Sequence, residues 1–203
     1  MTFETEQERF WAGDFGAGYR ERNQSERWLL SKIAMWSRIL RGAHGVESIC
    51  ELGCNIGLNL QALSKIAPDV ALRAIEINSQ SAEEARKLGV AEVTTGTILS
   101  PLDLPAADLT FTCGVLIHIS PDHLAAAYDN LVALSRRYVV VAEYYNPTPV
   151  AVPYRGHQDR LFKRDFAGDL MDRYGLKLVD YGFVWHRDNW APQDDVTWFL
   201  LEK

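Results

Sequence analysis

The run Ile49-Cys50-Glu51-Leu52-Gly53-Cys54-Asn55-Ile56-Gly57 constrains this chain more than any other short stretch in it. The apolar segment Ser48–Leu52 reads as a strand that stops at a glycine. Helical periodicity resumes at Leu58 and lasts to Ala67, ahead of Pro68. Gly53 lets the backbone turn tightly and approach a ligand with no Cβ in the way, and Gly57 permits close helix packing. The first turn of the helix offers N–H groups that have no partner within it. A strand feeding a helix through such a turn is half of a βαβ unit.

The rest of the chain supplies the other halves. Asn23-Gln24-Ser25-Glu26 reads as a capped helix start, and Leu29, Ile33, Trp36 and Leu40 follow on one face as core, with Gly42 as terminator. Leu72–Ile77 is strand-like, Ser79–Leu88 is helical with Gly89 closing it, and Val90–Thr95 reads as a third strand. Asp108–Cys113 and Tyr138–Ala142 are further strands, separated by a helix that Ser120 can cap and Pro121 can start. Asn146 to Asp159, rich in Pro, Tyr and Val, reads as an irregular excursion. A helix from Arg164 to Tyr174 ends at Gly175, before two strands at Leu176–Val184 and Val196–Leu201. This rhythm implies right-handed crossovers and a mostly parallel sheet covered on both faces, in one α/β domain.

Composition narrows the function classes. With 21 Lys and Arg against 27 Asp and Glu, the 203-residue chain carries a net charge of −6. No broad basic footprint for nucleic acid is expected. The acidic start Met1–Glu6 has no apolar run after it, and no window approaches the about 18 apolar residues of a membrane span. Cys50, Cys54 and Cys113 lie in apolar surroundings without a CxxC or His-x3-His partner. They read as reduced structural cysteines of a cytoplasmic protein with no metal site.

A dinucleotide fingerprint would be G-x-G-x-x-G, whereas this turn is G-x-x-x-G with an acid two residues before its first glycine. Glu51 sits badly beside a pyrophosphate and well beside a ligand with cationic groups. Here the chain resembles the class I S-adenosylmethionine-dependent methyltransferases, whose motif is apolar-apolar-(Asp/Glu)-x-Gly-x-x-x-Gly. The resemblance implies a Rossmann-like fold with a seven-stranded, mostly parallel sheet, helices on both faces and an N-terminal helical lid. It also implies S-adenosyl-L-methionine as cofactor and S-adenosyl-L-homocysteine as product. It divides the chain into an N-terminal arm and helix (1–42), a cofactor-binding core (43–145) and an acceptor-side excursion with the last strands (146–203). Glu51, Gly53, Asn55 and Gly57 then contact the cofactor. Glu76, 19 residues after Gly57, stands where the family keeps an acid, whose two oxygens accept from both ribose hydroxyls, with Ile77 beside it. The family's polar residue after strand three is replaced by Thr97 and Ile98, so adenine is expected against apolar and backbone atoms. Val115-Leu116-Ile117-His118-Ile119 is similar to the family's Val-Leu-His-His-Leu stretch and sets Gly114 and Val115 near the methionine part.

The resemblance narrows further. Glu8-Arg9-Phe10-Trp11-Ala12-Gly13-Asp14-Phe15-Gly16, then Tyr19, Arg22-Asn23 and Pro153-Tyr154-Arg155-Gly156, look like the methylases associated with pseudaminic acid biosynthesis. The arm reads as a lid, with Tyr19 and Arg22 near the cofactor carboxylate. Trp11, Phe15, Tyr144, Tyr145, Tyr154, Arg155 and His157 are candidate acceptor contacts.

His118, just past strand four, is a candidate base near neutral pH or else a packing residue. Glu143, at the end of strand five, is a candidate to grip or deprotonate a cationic nitrogen or else a support for the sheet. The leading expectation is methyl transfer to a small polar metabolite: an amino sugar, a nonulosonic acid derivative, an amino acid or a guanidine. Oxygen and nitrogen acceptors both stay open, and a homodimer is compatible with the chain. The alternatives are a methyltransferase of protein or nucleic acid, which lacks its Asn/Asp-Pro-Pro-Tyr motif and basic stripe, and a non-catalytic cofactor-binding partner protein. A nicotinamide dehydrogenase is disfavoured by the glycine spacing.

Overall fold

The computed structural model describes residues 5–13, 26–154 and 156–203, and of residues 157–159 the backbone alone. Its strands are β1 (Ser48–Leu52), β2 (Ala71–Glu76), β3 (Glu92–Thr95), β4 (Ala107–Cys113), β5 (Ser135–Glu143), β6 (Val150–Tyr154), β7 (His157–Lys163), β8 (Lys177–Val184) and β9 (Val196–Glu202). The helices are α1 (Glu6–Ala12), α2 (Glu26–Ile39), α3 (Leu58–Ile66), α4 (Ser79–Lys87), α5 (Leu124–Ala133) and α6 (Phe166–Tyr174). Seven strands form one sheet in the order β3-β2-β1-β4-β5-β9-β8, with β9 antiparallel to both its neighbours and the rest parallel.

Alternation along the strands sends side chains to two separate cores. On one face Ile49, Leu109, Phe111, Val140 and Trp198 meet Met35, Trp36 and Ile39 of α2 and Leu60 and Leu63 of α3. On the other face Leu52, Ile75, Val139, Val141 and Leu201 meet Leu124 and Leu131 of α5 and Phe166 and Leu170 of α6. The expected α2 stripe is rotated: Met35, Trp36 and Ile39 are buried, while Leu29, Ile33 and Leu40 pack only partly against them. Trp36 sets its ring 4.4 Å from Phe111, edge-on.

The excursion after β5 is ordered. β6 and β7 form an antiparallel hairpin, and Leu161 is buried from it against the α5–α6 core. Three prolines, Pro147, Pro149 and Pro153, hide it in the sequence. Pro153 falls where the register breaks between Val152 and Tyr154, a position that needs no N–H. The entry to α5 also differs. A 3-10 turn, Pro121–His123, precedes the helix, and Ser120 makes no side-chain capping bond. The proposed cap at 23–25 lies outside the described residues. No described helix is long and apolar enough to cross a membrane.

The chain lays down β1, moves outward to β2 and β3, then crosses back to put β4 on the other side of β1. That reversal opens a crevice at the carboxyl ends of β1 and β4, where ligands of open α/β sheets bind.

Candidate active site

A cavity of about 230 Å³ occupies this crevice. Its floor is the turn after β1, where Gly53, Asn55 and Gly57 all have positive φ, at 87°, 50° and 82°. Each glycine answers a specific neighbour. A Cβ on Gly53 would stand 2.6 Å from Val115 Cγ2, so the glycine lets the ends of β1 and β4 close together. A Cβ on Gly57 would stand 2.8 Å from Leu88 Cδ1 and 3.3 Å from Ala85 Cβ, so this glycine seats α3 against the end of α4. Gly53 and Asn55 line the cavity; Gly57, expected as a cofactor contact, lies behind it.

Two carboxylates stand over the turn. Asn59 Nδ2 donates to Glu51 Oε1 at 2.6 Å, and Trp36 Nε1 donates to Asn59 Oδ1 at 3.1 Å, so α2 and α3 together orient the acid of β1. Glu51 Oε2 is buried and receives no hydrogen bond from the described residues. Burial pushes this carboxyl up to about 8, against the Asn59 bond and the charge of Lys32. Glu76, at the end of β2, accepts from the backbone N–H of Asn55 at 2.7 Å on Oε2 and of Asn78 at 2.8 Å on Oε1. Burial raises its pKa, while those N–H bonds favour the charged form.

Several cavity residues come from outside the motifs. Lys32 of α2 donates from Nζ to Cys113 Sγ at 3.1 Å and is the one Lys or Arg among the described residues lining the cavity. Trp28 lines it one helical turn earlier. Their spacing of four beside the core stripe was the available signal. In α1, Thr5 and Glu8 form a reciprocal capping box, and the Thr97 hydroxyl donates to Glu8 Oε1. The carboxylate lacking after β3 is therefore brought by the N-terminal helix. Asn78 Nδ2 donates to the carbonyls of Trp11 and Ala12, at 3.1 Å each, and ties α1 over the end of β2. Ile77, Thr97, Ile98, Gly114 and Val115 line the cavity. Gln193, Asp194 and Val196, unmarked in the sequence, line it from the β8–β9 loop and the start of β9.

At the β4–β5 end the expectations divide. His118 lines the cavity with its ring between Trp11, at 4.4 Å, and Tyr154, at 5.0 Å. Its Nδ1 lies 2.7 Å from the Arg160 carbonyl, which can only accept, so Nδ1 carries the proton and Nε2 is left as the acceptor. Burial pushes the imidazole down to about 4, so it is neutral at pH 7 rather than poised to titrate there.

Glu143 does not line the cavity. Its carboxylate accepts from the N–H groups of Val115, Leu116 and Ile117, at 3.1, 3.2 and 3.4 Å, so it holds the turn after β4 from behind. Burial raises its carboxyl to about 7. Tyr144 and Tyr154 line the cavity; Tyr145 faces away, half-exposed, with its ring 5.9 Å from Phe199. Phe15, Tyr19, Arg22 and Arg155 lie outside the described residues, as does the side chain of His157.

No protein-family model and no curated protein sequence matches the chain. Solved structures do. A magnesium protoporphyrin IX methyltransferase from Synechocystis, with bound S-adenosylhomocysteine, aligns at TM-score 0.73 and 11% identity over 97% of each chain. The 1,6-didemethyltoxoflavin-N1-methyltransferase of Burkholderia thailandensis aligns at 0.74 and 12%, covering 100% of this chain and 91% of that one. An amino pentose methyltransferase from Micromonospora echinaspora aligns at 0.66 and 14%, covering 93% of this chain and 95% of that one. The chain has the fold these enzymes share.

Proposed function

We propose that this protein transfers the methyl group of S-adenosylmethionine to a small polar metabolite. The observation that carries the reading is the pair Glu51 and Glu76, on adjacent strands and flanking one left-handed turn inside a cavity of about 230 Å³. Glu76 is aimed by two backbone N–H groups and keeps lone pairs for a ribose diol. Glu51 presents a buried oxygen to which no described residue donates, and this suits an ammonium. Lys32 suits the carboxylate of the same amino acid part, and Glu8, Thr97 and Ile98 line the cavity where an adenine would rest.

The bound cofactor supplies an electrophilic methyl on a sulfonium. The chain's own part is to align the acceptor and exclude water. Trp11, Tyr144 and Tyr154 wall the acceptor side, and His118 offers a fixed Nε2 that can accept a proton or a hydrogen bond from the acceptor. Amino sugars, nonulosonic acid derivatives and amino acids fit this scale, with the neighbours acting on a porphyrin, an amino pentose and a toxoflavin precursor. Calorimetric titration with S-adenosylmethionine, S-adenosylhomocysteine and NAD tests the reading. Both adenosyl compounds should bind and NAD should not; binding of NAD alone overturns it.

A further inference from the structure

The seven-stranded sheet ends in β3 on one side and in β8 on the other, and the two edges are finished differently. β3 has four residues; its exposed side chains are Glu92 and Thr94, and Glu92 is bridged to Arg73 at 3.3 Å. A short, polar edge of this kind resists pairing with another chain. β8 has eight residues, no proline and two charges, Lys177 and Asp180, of opposite sign. Leu178, Val179, Tyr181 and Phe183 within it and Trp185 just after it are each between 39% and 63% exposed. Among the described residues, five of the nine exposed large apolar side chains therefore fall in one stretch of eight. The register with β9 sorts them by face. Leu178 lies opposite Leu201, Tyr181 opposite Phe199 and Phe183 opposite Thr197, so these three stand on the face that α6 covers over β5 and β9. Tyr181 stacks on Phe199, with centroids 6.1 Å apart and planes at 18°, which holds the exposed ring in place. The opposite face of β8 is closed. Val184 is buried there, and Gly182 admits Trp198, from which a Cβ would stand only 2.6 Å. One face of β8 is thus apolar and open, and its outer N–H and C=O groups meet no strand among the described residues.

We propose that β8 pairs antiparallel with β8 of a second copy of this chain across a two-fold axis, joining the two sheets edge to edge. The strand matches itself: its two charges cancel, so two copies meet there without repulsion although the whole chain carries −6. Antiparallel pairing about a two-fold axis satisfies the outer backbone groups of both strands and closes the assembly at two. Pairing β8 with β3 would be heterologous and open-ended, and the short polar β3 does not match it in length or character. The area agrees as well. Five side chains exposed to this degree amount to roughly 400–500 Å² per copy. Two copies together offer roughly 900 Å², which is the non-polar share of a standard-size interface. The pairing is independent of the activity proposed above.

Sedimentation velocity and hydrogen exchange on the wild-type chain test this. At about 50 μM the protein should sediment as a dimer, with a Kd of about 10 μM or tighter. Hydrogen exchange should show the β8 amides protected more strongly in a concentrated than in a dilute sample, with the β3 amides unchanged. Tyr181→Lys combined with Phe183→Lys, at exposed positions outside both cores, should weaken the dimer at least about 100-fold and leave the circular dichroism spectrum as it is. Trp190→Ser, 90% exposed on the following loop, should leave the Kd within about twofold. A monomer at 50 μM, a dimer that survives the double variant, concentration-dependent protection at β3, or growth beyond a dimer each overturns the proposal. Should the double variant fail to fold, the wild-type exchange decides alone, because β8 amides equally protected at both concentrations overturn it too.

Discussion

The cavity half at the ends of β1 and β2 is made by residues close together in the chain, whereas the half at the ends of β4 and β5 is assembled from segments scattered between Trp11 and Asp194. In the first half, main-chain N–H groups hold the working side chain: Asn55 and Asn78 fix Glu76. In the second, ring contacts and one carbonyl do it, as at His118 between Trp11 and Tyr154. Backbone anchoring is rigid and local, so the first half can serve one fixed ligand. Side-chain walls on a hairpin and a loop can change with the acceptor while the sheet stays as it is.

The largest expected effect falls on the rigid half. Glu76→Ala removes an acceptor for two ribose hydroxyls and leaves the Asn55 and Asn78 N–H groups without theirs. Hydrogen bonds to a charged group contribute about 1.5–3 kcal/mol each, so S-adenosylhomocysteine affinity measured by calorimetry should fall about 100-fold or more. A loss under threefold would erase the distinction between the halves.

Next is the pH dependence of cofactor binding. Burial holds Glu51 at about 8 in the free protein, so below that pH it is mostly protonated. A cationic ligand needs it ionised, so affinity should rise with pH, by up to about tenfold per unit between pH 6 and 8, and level off above. Glu51→Gln should flatten that slope. A slope of the opposite sign would mean that Glu51 does not meet a cation.

Much of this half could be read from the chain, because Glu51, Gly53 and Asn55 lie within five residues and Glu76 ends the next strand. Strand order follows from the same alternation. What could not be read is what tertiary packing brings: Glu8 to Thr97, Lys32 to Cys113, Gln193 to Ser31. Glu143 shows the physical limit. A carboxylate at a strand end that faces three N–H groups looks, in sequence, the same as one that faces a cavity.

Gly53 is the seam between the halves. Gly53→Ala sets a Cβ 2.6 Å from Val115 Cγ2 on a backbone with φ of 87°. Strain and overpacking of about 2–3 kcal/mol should lower Tm by roughly 4–12 °C in calorimetry and weaken the cofactor with it. On the acceptor side, His118→Asn keeps a polar group but loses the Nε2 acceptor. Turnover should drop about tenfold with S-adenosylhomocysteine affinity within twofold, whereas equal losses in both would make His118 part of the cofactor half.

The smallest effect sharpens the comparison most, because it sets two adjacent tyrosines against each other. Beyond β5 the chain still alternates, so Tyr144 turns into the cavity and Tyr145 turns out onto Phe199. Tyr144→Ala removes a wall of the acceptor side and should raise acceptor KM several-fold with cofactor affinity unchanged. Tyr145→Ala forfeits only a half-exposed ring contact of about 0.5–1 kcal/mol, so turnover and both affinities should stay within twofold and Tm should move by no more than about 4 °C. If Tyr145→Ala instead raises acceptor KM as much as Tyr144→Ala does, the acceptor wall extends onto the outer face of β9. The half built from scattered segments would then be larger than the cavity that now defines it.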